Sequence, residues 1–230
     1  MNNQLNQTGS ILNSDSLIDF TGLNLSRQTL KNENYSDYII SDANYSGSSF
    51  QYSEIFRVVG KNVKFCGVNF ENSKILNGKF TNCDFSNARM SAANLKGCKF
   101  ENCNFIGVDL SNAILIETTF VNCRIEGCDF SDVCAGMINF SNNIIDESCF
   151  EGANMISSNF EKTYFRVCDM GGTQVSLSNF KAARFNTCNL IDMQAQSCFF
   201  LNATFHECQA FKADFTHSIT DLNLNYLPQP

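Results

Sequence analysis

The chain has 230 residues, a net charge of −7, 43% hydrophobic residues, 22 Phe, no Trp and two Pro, Pro228 and Pro230. The length is sufficient for a sizeable core, and the acidic balance excludes general nucleic-acid binding, which needs a basic surface. There is no run of 18 apolar residues, so no transmembrane helix is expected, and the start lacks the basic and apolar regions of a Sec-type signal peptide.

Residues 1–17, MNNQLNQTGSILNSDSL, are polar, with Ile11, Leu12 and Leu17 as candidate cap contacts. From about residue 18 to residue 217 one period governs the chain. Every fifth residue is a large apolar centre, as in Phe65, Phe70, Ile75, Phe80, Phe85, Met90, Leu95, Phe100 and Phe105. Two residues earlier sits a small one (Cys83, Ala88, Ala93, Cys98, Cys103), with Asn or Asp often between them (Asp84, Asn94, Asn104, Asp109). The two residues after each centre are polar or Gly. Forty pentads run without a phase shift. A period of five fits neither the helix repeat of 3.6 nor the strand repeat of 2. The weak centres Ala195 and Ala135 have larger partners, Met193 and Val133, at the small position; irregularity is expected at Gly60. Beyond residue 217 the phase is lost, and Leu222, Leu224, Tyr226 and Leu227 form either a cap or a homodimer interface.

The unit Ala93-Asn94-Leu95-Lys96-Gly97 resembles the pentapeptide-repeat family, and the resemblance extends over 200 of the 230 residues. It implies an all-β fold, a right-handed quadrilateral parallel β-helix with one pentad per face and four per coil. Three segments follow: a polar N-terminal segment or cap (1–17), about ten coils of solenoid (18–217) and a C-terminal cap or dimerisation tail (218–230). Stacking at about 4.8 Å makes a rod of about 48 Å. Residues 20 apart should then stack, which predicts one column through Phe80, Phe100, Phe120, Phe140, Phe160, Phe180 and Phe200.

Nine of the twelve Cys occupy the small inward position: 83, 98, 103, 123, 128, 168, 188, 198 and 208. There they act as small hydrophobes in place of Ala, Val, Ser or Thr. CxxC pairs are absent, so zinc is not expected, and twelve Cys without a Sec signal suit reduced thiols in a cytosol. Cytoplasmic location is the expectation, with secretion by another route as the alternative. His206 and Cys208 diverge in this register, outward and inward. No nucleophile–base pair, phosphate loop or dinucleotide fingerprint occurs. No catalytic residue, metal or cofactor is therefore expected.

Charge is uneven along the chain. Residues 57–99 hold eight basic residues against two acidic, and residues 101–161 hold ten acidic residues against Arg124 alone. The candidate acidic interaction face comprises Asp109, Asp129, Asp169, Glu101, Glu126, Asp146 and Glu161, the three Asp falling on one face. Glu126 and Asp146, twenty apart, should stack as like charges at a cost in stability. Fold alone does not give function. The Phe- and Cys-rich repeats are similar to those of Qnr and microcin-immunity proteins. That resemblance implies a non-catalytic protein-interaction rod that mimics DNA and binds a type II topoisomerase, DNA gyrase, protecting it from inhibitors. The +6 block argues against a uniform duplex potential, and Qnr-type projecting loops are absent. The alternatives are a secreted bacterial effector and a generic intracellular scaffold; no direct contact with nucleic acid or membrane is expected.

Overall fold

Every fifth residue from Gly22 to His217 has a positive φ, between 47° and 75°, and these forty corners divide the chain into forty pentads. The left-handed conformation turns the chain after each short side. Gly adopts it without penalty and Asn or Asp more readily than other residues, which is why the second residue after a centre is so often Asn or Gly. At many corners the turn closes with a backbone bond, as where Ala88 N donates to Phe85 O at 2.9 Å and Ala113 N to Leu110 O at 3.0 Å.

The computed structural model describes residues 18–221. Four pentads complete a coil, and each coil pairs in parallel with the next at a shift of 20 residues, for example Phe80↔Phe100↔Phe120 and Phe105↔Ile125↔Ile145. The first face is built on Ile18–Asp19, Tyr38–Ser41, Val59–Lys61, Lys79–Thr81, Lys99–Glu101 and Thr119–Val121. The second runs from Asn104–Ile106 to Thr204–His206. The fourth begins with Asn34–Ser36, Glu54–Phe56 and Lys74–Leu76. The third face, from Thr29 to Gln209, is paired through single parallel bridges. Centres 25 to 205 in one column make ten rungs, nine full turns of rise, so the expected ten coils count rungs.

The core is a set of stacked side chains along the axis. Ring centroids from Phe80 to Phe200 follow one another at 5.3, 5.2, 4.7, 6.1, 4.7 and 4.9 Å, with interplanar angles of 22° or less. Neighbouring columns meet edge to face, as in Phe100 with Phe105. Ala195 and Met193 are both fully buried, so the larger partner does fill the weak rung. The irregularity expected at Gly60 does not occur. Gly60 continues the strand between Ile40 and Phe80, and the Phe80 ring leans over it, 2.8 Å from where a Cβ would stand. The neighbouring rung supplies the missing volume.

All nine predicted inward Cys are buried and unpaired; Cys66 and Cys149 are half-buried and Cys134 is exposed. The inward thiols do more than fill space. Cys98, Cys128 and Cys198 point at the carbonyls of Ile75, Phe105 and Val175, 2.9–3.1 Å away and one coil back. Thr118, Thr163 and Ser178 make the same bond from the same position. Each thiol therefore offers a weak donor to the carbonyl of a centre in the preceding coil. Burial pushes the Cys98 thiol up to about 12 and the Cys128 thiol up to about 11, leaving them protonated and inert near neutral pH. With a thiol reagent at pH 7.5, Cys134 is expected to react first and the nine inward Cys only on unfolding. Rapid native labelling of Cys98 or Cys128 would contradict this packing.

The cap or dimer candidates Ile11, Leu12, Leu17, Leu222, Leu224, Tyr226 and Leu227 lie outside the described residues. Among the described residues no helix is long and apolar enough to cross a membrane.

Candidate interaction faces

The Asn or Asp before each centre has a local task. Its Oδ1 accepts the N–H two residues on, closing an Asx turn. Asp109 does this to Ser111 N at 3.0 Å, Asp129 to Ser131 N at 2.8 Å and Asp169 to Gly171 N at 2.9 Å. Asn189 makes the same bond to Ile191 N at 3.0 Å in the same column. The geometry thus requires the side-chain carbonyl oxygen and is indifferent to the charge.

Asp109 and Asp129 are direct bridge partners, and Cys149 joins Asp129 to Asp169. The three predicted aspartates therefore share the third face, half-buried at their bases. Asp132 and Glu151, counted in the acidic block but not in the candidate face, and Asp192, beyond that block, lie on the same face. Between residues 108 and 192 this face carries these six acids and no Lys or Arg. Among the described residues none of the six forms an ion pair, whereas nine other pairs are present.

The remaining predicted acids do not join them. Glu101 and Glu161 stand on the first face, beside Lys99 at 3.1 Å and Lys162 at 3.9 Å. Glu126 and Asp146 stand on the second face and are direct neighbours across two coils, as expected. The uncompensated repulsion expected there is corrected by the structure: Arg124 binds Glu126 at 2.7 Å, and Arg166, one coil further, binds Asp146. Each like charge has its own cation, so this pair carries no signal of function.

The basic block is a collar around all four faces. Arg57, Lys74, Arg89 and Lys99 are paired with Asp37, Glu54, Glu71 and Glu101. Only Arg89 belongs to the third face, before the acidic stripe begins. His206 is exposed and Cys208 buried, so they diverge. Among the described residues no group of three or more His, Cys, Asp or Glu could hold a metal ion.

A family model described as a pentapeptide repeat region matches residues 53–130. No curated protein matches the chain. Among solved structures, a trypsin-treated variant of QnrB1, a plasmid-mediated fluoroquinolone resistance protein, superposes with a TM-score of 0.63 at 15% identity, over 91% of this chain and 93% of that one. HetL, a pentapeptide repeat protein involved in heterocyst differentiation regulation in the cyanobacterium Nostoc, gives a TM-score of 0.48 at 14% identity, over 87% of this chain and 90% of that one. At these identities the likeness is one of fold.

Proposed function

We propose that the chain, which is a pentapeptide-repeat protein, works as a non-catalytic rod that binds another protein, and that the partner is a type II topoisomerase, DNA gyrase. The observation that carries the reading is the third face, with six carboxylates on five successive rungs and no cation among them. Each of the five rungs carries at least one, so they recur at the rung spacing of about 4.8 Å along the axis, against about 3.4 Å between phosphates of one DNA strand. A surface that binds duplex DNA would meet a similar line of charge here. The basic collar lies to one side of the stripe and leaves it unbroken. Among the described residues the walls are repeated short strands that carry their charges singly or in ion pairs, which supports binding over chemistry.

The test is a gyrase supercoiling assay with and without a fluoroquinolone, run beside the Asp109→Asn/Asp129→Asn/Asp169→Asn variant. Because Asn189 makes the same Asx turn in that column, the variant should fold with an unchanged melting temperature and remove three charges. The wild type is expected to inhibit supercoiling or relieve the drug, and the variant to do neither. No effect of the wild type at micromolar concentration would remove gyrase as the partner.

A further inference from the structure

The fourth face adjoins the acidic one along the corner that carries Asp132 and Asp192, and it is of opposite character. From residue 113 to residue 177 it bears a single charge, Glu117. Ile114, Met137 and Leu177 are 36%, 54% and 61% exposed, with Ile116 and Ile156 half-buried between them. Gly136 and Ser157 alternate with these side chains along the wall, so the apolar residues recur without an intervening charge, the kind of surface that marks an interaction site.

A second observation points the same way. Met137 and Leu177 stand at left-handed corners, with φ of 60° and 63°. Asn or Gly relieves the steric conflict at such a position. The chain uses Asn at the corners 72, 77, 82, 87, 102, 112, 122 and 142, so the solution is available to it. A large apolar side chain here loses backbone energy and stays more than half exposed. Exposed large apolar side chains stand at four such corners among the described residues, Tyr52, Met137, Val167 and Leu177, and Met137 and Leu177 are the two that share a face.

We propose that the binding surface wraps this corner. The apolar strip Ile114–Ile116–Met137–Ile156–Leu177 on the fourth face is buried against a partner whose adjoining strip is basic and lies on the acids of the third face. The occupant is a protein surface, apolar along one edge and Lys/Arg-rich along the next, since the phosphate backbone of a nucleic acid would be repelled by the stripe and has nothing to offer the apolar strip. The strip spans three coil steps, about 14 Å, which is about ten residues of helix. The acids orient and accelerate the encounter, and the apolar strip slows dissociation. The inference rests on the reading of the third face as a docking surface, but not on gyrase being the partner.

Two probes test it by equilibrium binding to the full chain: DNA gyrase, and a fluorescent amphipathic Leu/Lys peptide of about 14 residues, helical over about 21 Å. The variants are Met137→Asn/Leu177→Asn, the triple Asp→Asn chain, and Val167→Asn. Val167 is a further exposed, β-branched corner residue (φ 53°) on the second face, away from the strip. Both corner-relieving variants should melt higher than the wild type, the double variant by about 3 °C or more, so misfolding cannot explain lost binding. The double variant should bind at least about tenfold more weakly, the loss of one to two exposed apolar side chains from an interface, with its salt dependence retained. The triple variant, which keeps Asp132, Glu151 and Asp192, should show a weaker salt dependence than the wild type, and Val167→Asn should bind as wild type. Peptide binding without gyrase binding, with the double variant weakened, supports the corner surface and removes only gyrase. Binding of either probe that the double variant leaves unchanged, or weakens no more than Val167→Asn does, overturns the proposal, as does failure of the wild type to bind both.

Discussion

Phe120→Ala is expected to lower the stability of the rod by about 4 kcal/mol, the upper range for a buried aromatic truncation. The ring is 1% exposed. It stacks on Phe100 and Phe140 at 5.2 and 4.7 Å and meets the Phe105 ring edge-on at 5.2 Å. Removing it leaves a cavity that cannot close, because the coil spacing above and below is held by the backbone pairing Phe100↔Phe120 and the bond from Phe120 N to Asn139 O at 2.9 Å. Each ring contact adds to the loss from burial alone. Phe20 at the first rung makes one ring contact among the described residues, with Tyr38 at 5.0 Å, and Phe20→Ala should cost less than half as much. Urea titration of the three proteins by circular dichroism decides the matter. Equal losses at both positions would mean that the aromatic column is not what holds the coils together.

Deletion of a whole coil and deletion of a single residue should have opposite outcomes. Removing residues 121–140 joins Phe120 to Ser141, which occupies the place Val121 held. Phe160 then stacks on Phe120 and Phe150 on Leu110, so every inward position remains inward. A solenoid in which each coil contacts only its neighbours tolerates such a loss, its stability being close to a sum over coils and interfaces. The shortened chain should fold and unfold in one cooperative transition at a slightly lower midpoint. Removing Asn122 alone breaks the phase. Everything C-terminal to it is offset against the coil below, and a register slip turns core residues to solvent. That variant should lose most strand signal beyond residue 122 and be cut there by trypsin. Resistance equal to wild type would show that the coils can absorb a phase error.

Much of this structure is legible in the sequence, for a physical reason. When the backbone repeats a single turn, each residue's number modulo 20 places it, and the stacked Phe column, the nine inward Cys and the shared face of Asp109, Asp129 and Asp169 all follow. What escaped the reading falls into two kinds. Some features depend on side-chain direction, such as the Phe80 ring leaning over Gly60 or Arg166 reaching down to Asp146. Periodicity assigns positions and says nothing of where a long side chain goes. The second kind came from counting charge along the chain. A segment of 61 residues from 101 to 161 winds through three coils and spreads its acids over all four walls. The linear block therefore merged paired acids such as Glu101 with unpaired ones such as Asp132 and Glu151, and it ended before Asp192. The use of Asn and Asp before the centres is visible as a preference, but its cause, the Asx turn, is a hydrogen bond.

The parallel register has a further consequence for how such a chain can change. Inward positions are shared by every coil, whereas the outward positions are free of the core, so the outside of the rod is a pegboard with rows about 4.8 Å apart. A peg can be recoloured without touching the frame, as an Asp–Asn exchange next to a centre illustrates. A row can be added or dropped without moving the pegs on either side relative to their own neighbours. Binding specificity and molecular length can thus drift independently along a lineage, and two rods that share no outward residue can still share every dimension.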